Sequence, residues 1–214
     1  MICRPRSWIR IGGLAAALCL ELFGPMANKS VAQDKQPRPA AELMDAVMWG
    51  KEPIGGPFTL IDHTGKTRTE TDFRGKLLLV YFGFTYCPDI CPTDLQAMTV
   101  GIEKLGTSGD AVQPLFITVD PERDTVDHLA QYVSLFHSRL IGLTGTAAQV
   151  HRAANAYRVH YARVTIGANY TIDHSAFIYM MGRDGAYLGF FPPGTSPDQI
   201  ATVIRPHLAA PPQK

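Results

Sequence analysis

The chain has 214 residues, 46% hydrophobic and 18% charged, which is enough for one well-buried domain and short for two. That balance excludes a disordered chain, a collagen or a coiled coil. A formal net charge of +1 gives no bulk electrostatic pull toward nucleic acid, and no nucleic-acid partner is expected. The charge is unevenly placed: residues 1–32 carry Arg4, Arg6, Arg10 and Lys29 against Glu21, leaving 16 basic and 18 acidic side chains for a mildly acidic body.

The basic start runs into an apolar stretch, Ile11 to Leu20 with Leu22 and Phe23, and then into Ser30, Val31 and Ala32. This is the layout of a secretory signal with a cut after Ala32. An uncleaved membrane anchor is the alternative, although the stretch is shorter than the ~20 residues a span needs and Glu21 interrupts it. Either way the body is expected to be exported, periplasmic or tethered to a membrane facing the periplasm. Lipidation at Cys19 is not expected, because Leu18 precedes it. With Cys3 and Cys19 inside the leader, the body keeps Cys87 and Cys91. A bridge between them would close too short a loop to stabilise much chain, so a chemical role is expected.

Residues 33–53 read as a linker that shades into Pro57, and residues 54–210 as the domain. Phe58–Ile61 and Lys66–Thr71, around the turn Asp62–Gly65, predict a small hairpin. Leu77–Phe84 is a continuous apolar run, as expected for a central strand covered on both faces. Leu95, Met98, Ile102 and Leu105 recur at helical spacing after the cysteines. Val112–Val119 predicts a second buried strand, Val126 to Phe136 a second helix, and Leu140–Leu143 a short strand. Thr146 and Gln149 make a capping box that opens a helix to about Asn155, and Tyr157, Val159 and Tyr161 alternate as in a strand. Ala176–Met180 and Ala186–Phe191 flank a hairpin turn at Gly182–Gly185, and Ser196, Pro197 and Gln199 open a terminal helix through Ile200, Val203 and Ile204. The order predicts an α/β, thioredoxin-like sandwich with a central mixed sheet, flanking helices and a β-hairpin extension.

Cys87 and Cys91 lie where a central strand hands over to a helix, a usual place for function in an open α/β sheet. With three residues between them, the sulfurs can share one face of a first helical turn, and helix N–H groups stabilise a thiolate there. Three readings compete: a structural disulfide, a redox dithiol, and a soft-metal site favouring Cu(I) over Zn(II). A metal needs a third ligand. His63, His128, His137, His151, His160 and His207 read as solvated or capping residues. His174 stands just before the strand Ala176–Met180, where a thioredoxin-like sheet turns toward the cysteine loop, so it is either a ligand or another solvated ring. Met180 and Met181 read as packing.

Three motifs, Tyr81 to Pro92, Asp120 to Thr125 and Asp173 to Ala176, closely resemble the signatures of the Sco/SenC family over about residues 54–208. The resemblance implies a thioredoxin-like, exported and often membrane-tethered protein that delivers copper to the dinuclear copper centre of cytochrome c oxidase. It maps Cys87, Cys91 and His174 onto copper ligands for Cu(I) or Cu(II). It implies as partner the copper-accepting oxidase subunit, with other copper chaperones or thiol reductants beside it. It also implies that the Cys87–Cys91 pair, as a redox-active couple, can reduce a disulfide in that subunit. Asp120 is expected to tune the site from behind the ligands, while Glu122 and Arg123 read as solvated and Asp124 and Thr125 as helix caps. A general thiol-disulfide oxidoreductase is the rival reading. Against it stand the three-residue gap and the lack of proline from Tyr161 to Phe190. A peroxidase resembles it less, since residue 84 is Phe where a Thr is expected.

Overall fold

A continuous apolar run is most stable in the middle of a sheet covered on both faces, and Leu77–Gly83, buried at every position, takes that place. The structure, a computed structural model, describes residues 53–209; the leader with Cys3 and Cys19, and all but the end of the linker, lie outside the described residues. In chain order the elements are β1 (Thr59–Asp62), β2 (Thr67–Thr69), β3 (Leu77–Gly83), α1 (Ile90–Glu103), β4 (Val112–Thr118), α2 (Val126–Val133), β5 (Ile141–Thr144) and α3 (Ala147–Ala156). They continue with β6 (Tyr161–Ile166), β7 (Asn169–His174), β8 (Ile178–Met181), β9 (Tyr187–Phe191) and α4 (Pro197–Ala209). Short 3-10 turns occupy Glu70–Phe73 and Gly106–Ala111.

Seven strands form one sheet in the order β2-β1-β5-β4-β3-β8-β9. The core β3, β4 and β5 run parallel, and β1, β8 and β9 pair antiparallel at the flanks. Helix α1 turns Leu95, Met98 and Ile102 inward and packs against α4 through Gly101, where a Cβ would come within 2.9 Å of Ile200. Helix α2 covers β5, and α3 covers β1. The capping boxes at Thr146–Gln149 and Ser196–Gln199 form as the sequence predicts. This is the expected thioredoxin-like sandwich of a mixed sheet and flanking helices.

One segment differs from the expectation. The alternation of Tyr157, Val159 and Tyr161 does not mark a strand. Arg158 adopts a left-handed backbone at φ 58°, Val159 N–H donates to Ala154 O at 2.9 Å, and Arg158 N–H to Asn155 O at 3.1 Å. That pattern is a Schellman ending for α3, which buries the flanking Tyr157 and Val159 for a reason unrelated to strand pleating. The strand begins at Tyr161 and belongs to a hairpin the sequence reading passed over. β6 and β7 pair antiparallel from Tyr161↔His174 to Ile166↔Asn169 and form a separate two-stranded sheet. Gly167, at φ 58°, supplies the positive φ that a two-residue hairpin turn requires. Among the described residues, no helix is long and apolar enough to cross a membrane.

Candidate metal centre

The strand-to-helix junction is held from below before any sulfur is reached. Asp124, fully buried, accepts from Thr85 N–H at 3.1 Å, Thr85 Oγ1 at 2.6 Å and Thr118 Oγ1 at 2.6 Å. It therefore ties the exit of β3 to the end of β4, which corrects its expected role as a solvated cap; Thr125 does cap α2, its hydroxyl accepting from His128 N–H. Gly83 closes β3 where a Cβ would stand 3.0 Å from both Cys91 Sγ and the Phe116 ring, so the sulfur approaches bare backbone.

Cys87 lies in the turn before α1, half-buried, and Cys91 in the first turn of the helix, fully buried. Both are free thiols. Cys91 N–H points at Cys87 Sγ at 3.5 Å. The Cys91 thiol donating to Cys87 pulls Cys87 down to about 3 against the opposing effect of burial, and His174 and the backbone N–H groups of Asp89 and Cys91 add to the pull. The same bond, with burial, pushes the Cys91 thiol up. The helix start thus stabilises one thiolate, at Cys87, while Cys91 keeps its proton.

The third group arrives by sheet topology. β8 pairs antiparallel with β3 in the register Tyr81↔Ile178, so the chain just before Ile178 passes the exit of β3. His174, at the end of β7, lies there with Nε2 3.3 Å from Cys91 Sγ. Its ring stands edge-on to Tyr81 at 6.3 Å and to Phe84 at 5.8 Å. Nδ1 lies 3.2 Å from the Ser175 carbonyl oxygen, a contact that turns Nε2 toward the sulfurs. The two sulfurs and the imidazole nitrogen lie within 4.8 Å of one another, half-buried around a buried Cys91. Two thiolates and an imidazole are a soft donor set that suits Cu(I), and their spacing lets one ion touch all three.

The remaining residues divide clearly. Asp120 is buried and accepts from Arg123 Nε and from the Tyr170 hydroxyl at 3.0 Å, so it acts on the surroundings of the ligands through those two side chains. Glu122 pairs with Arg163 at 2.7 Å on the surface. Arg123, expected to be solvated, instead packs among Tyr170, Tyr86 and Phe84. Met180 and Met181 are buried in β8 as packing. His63 and His137 accept backbone N–H groups, His128 stacks on Tyr86, and His151 meets Tyr161 and Asn155. Asp94, one turn beyond Cys91, escaped the sequence reading. It is buried, accepts from Tyr81 OH at 3.4 Å and Gly194 N–H at 2.9 Å, and burial pushes its carboxyl up. A carboxylate three residues past a helical cysteine, on the inward face, was the available signal.

The model of a family described as SCO1/SenC matches residues 47–209. The bovine (Bos taurus) mitochondrial protein SCO2 homolog is 45% identical over 159 residues, 72% of this chain and 60% of the relative, so the chain spans under two thirds of that relative's length. The copper-bound structure of Bradyrhizobium japonicum ScoI aligns with TM-score 0.68 and 39% identity over 72% of this chain and 99% of that one. Copper-bound Arabidopsis thaliana ScoI aligns with TM-score 0.69 and 41% identity over 72% and 98%. The chain therefore belongs to the SCO1/SenC family.

Proposed function

We propose that the protein is an exported copper metallochaperone that holds one copper ion on Cys87, Cys91 and His174 and passes it to the copper-accepting subunit of cytochrome c oxidase. The observation that carries this reading is the meeting of three soft donors from two remote segments within 4.8 Å, with the imidazole Nε2 turned toward the sulfurs. Copper is cargo here, not a resident cofactor. Loading displaces the Cys91 proton, and release requires the recipient to offer competing thiolates or imidazoles. Relatives solved with copper bound support the choice of metal. Residues 1–32 serve as signal or anchor, 33–53 as linker and 54–210 as the copper-binding domain, which would face the periplasm. The test is titration of the reduced protein with Cu(I) against a competing chelator. One equivalent bound, and retention lost in Cys87→Ala, is the expected result; unchanged retention in that variant overturns the reading.

A second reading is favoured by the contrast between the sulfurs. Cys87 is half-exposed with a depressed pKa, and Cys91 is buried behind it, which is the arrangement of an attacking and a resolving thiol. In that role Cys87 attacks a disulfide of the oxidase subunit, and Cys91 then displaces the target thiolate, leaving the target reduced and Cys87–Cys91 oxidised. A bound ion blocks this exchange, so the two roles alternate. Deleting the gene separates them: added copper restores oxidase activity if delivery is the missing step, and fails to restore it if reduction is.

A further inference from the structure

The hairpin that brings His174 to the sulfurs forms its own two-stranded sheet, outside the seven-stranded one. Its outer face, with Ala162, Val164, Ile166, Asn169 and Asp173, is exposed. At its base, Ser175 N–H donates to His160 O at 2.8 Å and His160 N–H to Ser175 Oγ at 3.2 Å, which closes the hairpin on itself. Side chains must therefore hold the arm against the cysteine loop.

Arg123 is placed to do so. It projects from the loop between β4 and α2, and its guanidinium carbon lies 3.8 Å from the centre of the Tyr170 ring and 4.7 Å from that of Tyr86. Phe84 lies 5.8 Å away on the same loop as Tyr86. Nη1 donates to the Tyr170 carbonyl at 3.1 Å, and Nε is bonded to Asp120, which also accepts the Tyr170 hydroxyl. Tyr170 and His174 are four residues apart on one strand, so they share a face. Tyr86 adjoins Cys87. One planar cation, half-buried among rings, thus joins the segment that carries the imidazole to the segment that carries the first thiol. Arg163, 4.0 Å from the Tyr170 ring centre, adds a second cation on the same ring.

We propose that Arg123 is a positioning residue that latches the β6–β7 hairpin to the cysteine loop and thereby sets whether His174 joins the metal. This rests on the reading of Cys87, Cys91 and His174 as copper ligands. The thiols have supports of their own in β3, α1 and Asp124, besides the contact of Tyr86 with Arg123. Loosening Arg123 therefore converts a three-donor site into a two-thiolate one and leaves both sulfurs at the strand-to-helix junction.

The experiment measures Cu(I) retention against a competing chelator, the dithiol midpoint potential, and amide hydrogen exchange over residues 161–174 in metal-free full-length protein. The variants are Arg123→Gln, His174→Ala and their combination. Arg123→Gln is expected to weaken Cu(I) binding about 10- to 100-fold, the usual effect of losing a group that orients a ligand. It should move the potential no further than His174→Ala does, speed exchange on the hairpin, and add nothing in the His174→Ala background. A purely structural role would move the potential and multiply with His174→Ala. Wild-type retention in Arg123→Gln beside a loss in His174→Ala overturns the latch alone; wild-type retention in His174→Ala overturns the ligand reading and the latch with it. Should Arg123→Gln fail to fold, Tyr170→Ala removes the ring beneath the guanidinium and carries the same expectations.

Discussion

The two halves of the candidate site are built in opposite ways. Cys87 and Cys91 sit on the junction of β3 and α1, where every residue of the strand is buried and Asp124 ties the exit to the neighbouring strand. His174 comes in on a mostly exposed two-stranded arm, seated on the core by Ile172 and joined to the cysteine loop by side chains around Arg123 and Tyr170. A rigid thiol pair suits a sulfur chemistry that must work with or without metal. An imidazole carried on a separate hairpin suits an ion that has to leave. The division of labour teaches that retention and redox properties of the site are separable by mutation.

The largest expected effect comes from the rigid half. Cys91→Ser, like Cys87→Ala, should abolish Cu(I) retention against a competing chelator, because a single thiolate and an imidazole do not complete a soft site. Next is the pH response of Cys87. An ordinary thiol loses about a thousandfold of its thiolate between about pH 8 and pH 5, whereas a thiol with a pKa of about 3 stays ionised throughout. Iodoacetamide should therefore label Cys87 in the metal-free protein at a nearly constant rate across that range, falling off only as the pH approaches 3. The depressed value also means that this thiolate contributes to stability above its unfolded pKa, and that the contribution fades as acid drives the pH down through the folded one.

The hairpin half gives smaller and more selective effects. His174→Ala should weaken Cu(I) binding by at least about tenfold while shifting the Cys87–Cys91 potential far less, since the Cys91 thiol is the larger influence on Cys87; equal effects on both would erase the contrast between the halves. Asp124→Ala tests the anchoring of the thiols. It leaves Thr85 and Thr118 without their buried acceptor and should cost about 1–3 kcal/mol in chemical denaturation. The smallest effect belongs to the outer face of the arm, where Ile166→Ser, at a side chain 60% exposed, should change stability by no more than about 0.5 kcal/mol and copper retention not at all.

The sequence makes the cysteine half legible and the hairpin half nearly opaque, for physical reasons. Burial writes itself into composition: Leu77 to Phe84 has one stable home, and a strand followed by cysteines and a helical apolar repeat places both sulfurs. The hairpin buries little, so its strands lack a clean apolar face, and the Schellman turn at Arg158 mimics strand alternation just ahead of it. Gly167 between Val164–Ile166 and Tyr170–Ile172 was the usable sign of its turn. His174 stands out through the Asp173–Ala176 motif and its place before the strand that pairs with β3, a relation that topology supplies and spacing does not. In the sequence Arg123 reads as a solvated residue and Asp124 as a helix cap. Their function depends on partners 47 and 39 positions away in the chain, Tyr170 and Thr85, which no local pattern reveals.

X-ray absorption at the copper edge of the Cu(I)-loaded protein tests the heart of this account. Two sulfur neighbours and one nitrogen neighbour in the wild type, with the nitrogen alone lost in His174→Ala, is the predicted result. A spectrum that shows sulfur neighbours only, and is the same in both proteins, would contradict it.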